Sequence, residues 1–553
     1  MTTPGEDAGK AYDAFPYESY PFANTHPDRL LVLSRLSGLV PGPVERVRVL
    51  ELGCASGGNL VPVAAELPGG RFVGVDASAR QVADGQRLVD ALGLANCELR
   101  AADILTLDPA ELGTFDIVSC HGVYSWVPAP VQQKILALAR ACLAPQGVAY
   151  VSYNTLPGWR MRGMIRDMCR WHARQFDEPG TAVVQARRFL DYLHDRVKDD
   201  STAYAYVLRQ ELEVLRRQSD AYLFHEHLEA QNEPVYFHEF AERAEAAGLR
   251  YLGESSPGET ESTLQPELGD EGRGSPPLIQ AEQYRDFVRN RLFRTTLLVH
   301  RERELWPAAR PEAVTDLFVA GVFERYVPGA EAPPKGERST PLDKALAAGG
   351  AESEWRTRWG KLVRTTSPLV EAALTRLGAL WPAALRFDAL LAAARSEVER
   401  RAGPQPGRTE ADDRALLAEV VLRAYGADAL ELRPRDTGVA SLSTGPGPRP
   451  RACRTAVAQL RLGATDVTNL RHESVHLNPF EREVLVAADG TRDLPAVVDA
   501  VVDAALTGRL TVRRDGEVVT DRPGLLSILE DAVPTTLRSI VKSALLTAPS
   551  VLP

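Results

Sequence analysis

This chain of 553 residues has little of what builds a metal knot, a disulfide scaffold or a membrane anchor. Its six cysteines (Cys54, Cys97, Cys120, Cys142, Cys169, Cys453) are scattered, with no C-x-x-C pair, and most fall in apolar strand or helix patterns where they act as small hydrophobes. A reduced compartment and no metal site are therefore expected. The first ten residues have neither a basic nor an apolar region. The longest apolar helical pattern, near Val497 to Leu506, is short and carries Asp499 and Asp503. These absences predict a cytoplasmic protein with no membrane span. Positive charge is in the minority: 64 Lys and Arg against 74 Asp and Glu give a net charge of −10, which argues against a nucleic-acid partner and is compatible with a basic or protein substrate. No internal repeat is evident. What remains, 44% hydrophobic and 25% charged residues, is an ordinary globular composition, and the length predicts two or three domains.

The chain is organised around Val47 to Asn59, a short apolar strand that ends in Glu51, passes through a turn of small residues and opens a helix. Gly53, Gly57 and Gly58 let the backbone take positive φ and approach a ligand closely, and the helix N-terminus faces the same place. Such a turn is often mere tight packing, so the next two strand ends carry the argument. Arg71 to Asp76 is a second apolar run ending in an acid, about 25 residues beyond Glu51, where a ribose diol is held by a carboxylate. Cys97 to Ala101 gives a third strand, followed by Asp103. A dinucleotide fold accounts for Asp76 but has no need of Glu51 or Asp103.

Strand and helix alternate regularly from Val47 to Tyr153, which predicts a doubly wound parallel α/β sheet. Ahead of it, residues 11–24 are aromatic and Pro-broken and read as a lid, and Thr25 is the expected cap of a first helix through Leu36. The fourth and fifth strands run into His121 to Pro128 and Asn154 to Trp159, loops that face the ligand at the carboxyl edge of an open sheet. Residues 159–233 then carry helical spacing only and read as an insertion, after which 234–305 completes the sheet. A Gly/Ser/Pro/Glu-rich run at 254–277 reads as a surface loop, and Pro-rich breaks at 328–341 and 443–450 as linkers. The expected division is thus 1–158, 159–233, 234–305, a middle domain 306–445 and a last domain 446–553. The last two are expected to be mainly helical and winged-helix-like. Acidic residues outnumber basic ones over 478–553, which favours packing or protein contact over DNA binding.

Three acids at three successive strand ends resemble the class I S-adenosylmethionine (SAM) methyltransferases, with their seven-stranded sheet. Glu18 to Phe22, the stretch at Glu51, His121 to Pro128, Ser152 to Trp159 and Gln283 to Leu298 are together similar to bacterial members that carry a methyltransferase regulatory segment and a separate C-terminal domain. Among these are rickettsial protein-lysine methyltransferases acting on outer-membrane protein. The resemblance covers nearly the whole chain, with Ala55 departing from the commoner glycine pattern.

That resemblance implies SAM as cofactor, its methionine end held by Glu51, Gly53, Ala55 and Asn59, its ribose by Asp76 and its adenine by Asp103. Tyr17, Ala77, Ser78, Gln81, Ala102, Ile104, His121 and Gly122 complete the implied cofactor site. A helix N-cap is the structural alternative for Asp76, and Ser78 and Gln81 are equally readable as the start of the next helix. Methyl transfer requires in-line approach of a neutral nucleophile, so alignment and desolvation dominate. A lysine of free pKa about 10.4 costs roughly 4 to 5 kcal/mol to present as neutral amine at pH 7, and a cationic sulfonium nearby lowers that cost. Tyr20, Tyr124, Trp126 and Asn154, with His121 as a proton acceptor, are the candidate catalytic residues; Tyr17 and Tyr153 add to the aromatic set. Core packing is the competing reading for each. A protein or peptide substrate is expected, with a homodimer as a further possibility. A small-molecule or natural-product N- or O-methyltransferase stays open, as does a SAM-binding regulatory scaffold without turnover.

Overall fold

The protein is described from a computed structural model, in which residues 19–260, 278–326, 340–342, 352–403 and 408–548 are placed. Tyr17 and most of the expected lid lie outside the described residues, as do 261–277 of the expected surface loop and most of the 328–341 linker.

Seven strands form the central sheet: β1 (Arg48–Leu52), β2 (Arg71–Asp76), β3 (Cys97–Ala101), β4 (Phe115–Cys120), β5 (Leu143–Asn154), β6 (Leu249–Glu254) and β7 (Phe293–His300). Their order is β3-β2-β1-β4-β5-β7-β6, with β7 antiparallel to both of its neighbours. This is the class I methyltransferase sheet. Valine, isoleucine, leucine and aromatic residues fill β1, β4 and β5 because helices cover both faces, so nearly every position is buried. One face packs on the helices Leu60–Glu66 and Ala79–Leu92, the other on Ala129–Cys142 and Phe237–Ala246. At the far end of the sheet Arg294 on β7 is fully buried, bonded to Glu254, Glu282 and Asp286. That network ties β6, β7 and the helix Leu278–Arg289 together.

The first helix, Pro27–Leu36, is capped by His26 rather than Thr25: Asp28 N donates to His26 Nδ1 at 3.2 Å. The Thr25 hydroxyl is used elsewhere, donating to Phe22 O and Asn59 Oδ1. This helix serves two cores at once. Leu30 and Leu31 pack with the sheet, while Val32 and Leu36 belong to the core of the middle region.

Between β5 and β6 the chain forms the helices Trp159–Ala173, Pro179–Val197, Ala203–Arg216 and Asp220–Leu223, the last continuing into a π-helical turn, Phe224–Leu228. They carry a separate small core around Ile165, Val183, Leu190, Leu208 and Leu212. Beyond β7 the described residues of the middle region form three α-helices, Pro368–Leu380, Phe387–Ala402 and Glu410–Gly426, with a four-stranded and a three-stranded sheet of very short strands. The last region holds Arg454–Arg461, Pro479–Ala487, Leu494–Leu506 and Arg522–Lys542, and a wing hairpin turning at Asp515 and Gly516, both at positive φ. Asn478 and Glu481 form a capping box at the start of Pro479–Ala487. Among the described residues no helix is long and apolar enough to cross a membrane.

Candidate functional site

At the carboxyl edge of the sheet, where the loops after β1, β2, β4 and β5 converge, lies a cavity of about 380 Å³. Two sets of residues line it. One comes from the sheet and its loops; the other comes from the helical insertion, as Trp159, Arg162, Tyr222, His225 and Glu226.

The sheet side is built around the turn after β1. Gly53 (φ 76°) and Ala55 (φ 48°) both take left-handed backbone; for alanine this is a strained conformation, held by Ala55 N donating to Asp76 Oδ2 at 2.8 Å. Asp76 Oδ1 accepts from Ser78 N at 2.9 Å, so Asp76 braces both the turn and the start of the helix while still lining the cavity. Gly58 has no room for a side chain: a Cβ there would lie 2.1 Å from Ser19 O. The described part of the N-terminal segment thus lies on the glycine turn. Gly58 N donates to the Ser19 hydroxyl, and the Phe22 ring covers His121 with 3.8 Å between ring centroids.

Glu51 is buried at the floor. Asn59 Nδ2 donates to its Oε1 at 2.6 Å, while its Oε2 has no hydrogen-bond partner in the protein; Gln81 Oε1 is similarly unpartnered. Burial pushes the Glu51 carboxyl up to about 7, against the Asn59 hydrogen bond and with the help of Asp76. Two unsatisfied buried acceptors on residues lining one cavity call for donors from a ligand. Asp103 lines the cavity beside Ile104, and its carboxylate also accepts from Leu105 N at 2.9 Å. Ala77, His121 and Gly122 line it too, and Gly122 N donates to the Ser152 hydroxyl.

Several expected residues are placed elsewhere. Ser78 is 1% exposed and spends its hydroxyl capping Ala79–Leu92, and Ala102 packs against the core under β3 and β4. Tyr124 is not a channel wall: it is fully buried, edge-to-face with Phe240, and Tyr153 is stacked on the same Phe240. The short helical turn Tyr124–Trp126 points its first ring inward and its last toward the cavity. Tyr20 is 38% exposed and is not among the cavity-lining residues. His121 has Nδ1 2.8 Å from the Tyr150 hydroxyl, and burial pushes its pKa down to about 4, too weak a base to relieve an ammonium of its proton. Of the remaining candidates, Trp126 and Asn154 line the cavity, Trp126 edge-to-face with Trp159.

On the insertion side, Trp159 belongs to a loop expected to face the ligand, whereas Arg162, Tyr222, His225 and Glu226 were not singled out in the sequence. Arg162 lies over the Trp159 ring and reaches Glu211 and the Tyr222 hydroxyl; Arg166 lies over Trp126 and donates to the carbonyls of Glu229 and Ala230. Glu226 sits in the π-helical turn, a geometry that frequently marks function. Burial pushes its carboxyl up to about 7 despite Arg162 and Arg166.

Comparisons with known proteins agree with this geometry. Residues 49–147 match the family "Methyltransferase domain", 219–300 the "Predicted methyltransferase regulatory domain" and 448–545 "PKMT, C-terminal winged helix domain". The regulatory match thus runs from the end of the insertion through β7, not over 159–233. Protein RP789 of Rickettsia prowazekii is 33% identical over 540 residues, 97% of this chain and 93% of that protein. Protein RP028 of the same organism is 38% identical over 242 residues, 44% of this chain and 96% of that protein. The structure of PKMT2 from Rickettsia typhi in complex with AdoHcy superposes with a TM-score of 0.80 at 27% identity, covering 96% of this chain and 100% of that one. The chain belongs to this family of class I, SAM-dependent methyltransferases with a regulatory domain and a PKMT-type C-terminal winged helix.

Proposed function

We propose that this methyltransferase modifies lysine side chains of a protein or peptide, with the cofactor against the sheet side of the cavity and the acceptor entering past the helical insertion. The donor set suits the cofactor. Glu51 Oε2, without a hydrogen-bond partner in the protein, suits an ammonium; the cavity-lining Asp76 carboxylate suits a ribose diol in addition to the backbone it braces, and Gln81 or Asp103 an adenine amino group. Bound there, SAM supplies an activated methyl on a cationic sulfonium.

The single observation that carries the lysine reading is the insertion side of the same cavity, lined by Trp126, Trp159 and Tyr222 together with a carboxyl, Glu226. Aromatic faces attract an ammonium and then pack on its methylene stem. Arg162 and Arg166 lower the pKa of an incoming amine, and Glu226, poised near neutrality, takes the released proton. Asn154, whose Nδ2 donates to Asn232 Oδ1 at 3.1 Å, offers its own carbonyl oxygen to the amine. Acceptor alignment then comes from these walls rather than from a strong base.

Incubating the protein with methyl-labelled SAM and a proteome extract tests this. Label in protein bands, mapped to methyl-lysine, is the expected result; label confined to the small-molecule fraction overturns it.

A further inference from the structure

The C-terminal winged helix reaches the cofactor turn through one histidine. His472 lies between the strands Asp466–Thr468 and Ser474–His476, at φ 60° and 1% exposed. Its Nε2 is 2.8 Å from Asn59 Oδ1, which also accepts from Phe22 N at 2.9 Å and Thr25 Oγ1 at 3.0 Å. The Phe22 N–H and the imidazole, with the single Thr25 hydroxyl proton shared between this oxygen and Phe22 O, fix the orientation of the Asn59 amide: its Nδ2 has to point at Glu51, and it does, at 2.6 Å. Burial holds the imidazole well below its ordinary pKa, aided by His26 and Arg433, so it is neutral and carries its proton on Nε2.

The contact is framed by a buried ionic seam between the end of the middle region and the methyltransferase part of the chain. Arg433 and Arg435 bond Asp28 at 3.2 and 3.1 Å, Arg435 also bonds Glu66, and His26 lies 3.4 Å from Glu66. The donor atoms of His26, Asp28 and Glu66 lie within 4.8 Å of one another, but both carboxylates already hold guanidinium groups, so the seam is a clamp and not a cation site. On its other flank, Arg454 donates to Leu92 O and Ala458 packs into the sheet-side core.

We propose that His472 is a positioning residue for the cofactor: by holding the Asn59 carbonyl it commits the amide to one oxygen of Glu51 and leaves the other facing the cavity for the cofactor's ammonium group. The C-terminal region is then part of the cofactor site rather than an appendage. This rests on the reading of Glu51 as the group that receives the ammonium. Without the His472 proton, Asn59 Oδ1 loses a donor, the amide gains freedom to rotate, and Glu51 loses the partner that offsets its burial.

Calorimetric titration of the full chain with SAM, alongside thermal unfolding, tests it. His472→Ala is expected to weaken SAM by about tenfold and leave the acceptor KM unchanged. His472→Gln, whose amide N–H can replace the imidazole donor, is expected to stay within about threefold of wild type. His472→Phe keeps the volume without the donor and replaces the alanine variant should that one not fold. In a Glu51→Gln background the His472 effect is expected to fall to about threefold or less, because both act on one oxygen. Equal affinity in His472→Gln and His472→Ala, or full additivity with Glu51→Gln, overturns the proposal. If Glu51→Gln alone leaves SAM affinity unchanged, the reading of Glu51 fails instead.

Discussion

The two sides of the cavity each carry a carboxyl that burial pushes up to about 7, Glu51 and Glu226, and they are held in opposite ways. Glu51 is clasped: its strand is central in the sheet, one oxygen takes the Asn59 amide, and the turn around it is braced by Asp76, Ser19 and the C-terminal region. Glu226 stands in a π-helical turn of a helical unit with its own small core, beside two arginines engaged elsewhere. Carboxyls raised alike therefore serve two tasks. A fixed acceptor suits a cofactor that is the same in every turnover, whereas a carboxyl on a separate helical unit suits an acceptor side chain that must enter, lose a proton and leave.

Glu226→Gln breaks the contrast most severely. Methyl transfer to lysine is expected to fall by about 10²- to 10³-fold in kcat, the range for a lost proton acceptor, with SAM affinity unchanged. In the wild type kcat is expected to decline as pH drops through about 7, as the Glu226 carboxyl, raised by burial, takes up its proton and has no capacity left; the glutamine variant is expected to lack that step. Rate profiles from pH 6 to 9 at saturating peptide read this directly.

On the cofactor side, Asp76→Ala removes the acceptor for Ala55 N and Ser78 N and, on the proposed reading of the site, the ribose contact. A loss of about 2 to 3 kcal/mol in SAM binding is expected by calorimetry, with acceptor KM little changed. Unchanged affinity there removes Asp76 from the site.

A smaller effect separates binding from stability. Glu51→Gln weakens SAM by about tenfold yet stabilises the unliganded protein. The sign follows from the direction of the shift. A carboxyl raised from 4.5 to about 7 holds its proton more tightly folded than unfolded, so wild-type stability is highest below the ordinary value and is lost as pH rises through 7. Thermal melts should place Glu51→Gln above wild type at pH 8, by about 1 to 3 kcal/mol, and close to it at pH 5.

The smallest expected effect sharpens the acceptor side. Trp126→Ala raises the acceptor KM by about tenfold through the lost aromatic wall, while Tyr124→Phe, in the core against Phe240, leaves transfer within about twofold. A Tyr124→Phe enzyme without activity would put that hydroxyl back at the acceptor.

Much of the fold was legible because it is written locally. The strands of the sheet, the helices of the insertion and the helix Leu494–Leu506 follow from apolar spacing, and Asn478 before Pro479 reads as a cap on sight. Glu51, Asp76 and Asp103 stand at strand ends, and the edge of an open parallel sheet brings successive strand ends together whatever the rest of the chain does. The middle region was less legible, since strands of two to five residues carry too little alternation to separate from loop.

By itself, then, the sequence determined the methyltransferase sheet, its family and the acids along its edge, because period and chain order are properties of neighbours. Tertiary structure alone decided which rings face the cavity. Tyr124 and Trp126 are two residues apart in one short helical turn and point to different surroundings, a matter of rotation about an axis that packing sets. It also decided that Glu226 from the insertion joins Trp126, and that His472 bonds Asn59 across 413 residues of chain. No local pattern encodes such pairs, because the free energy that brings them together comes from burying helices and domains against one another, not from the residues that meet.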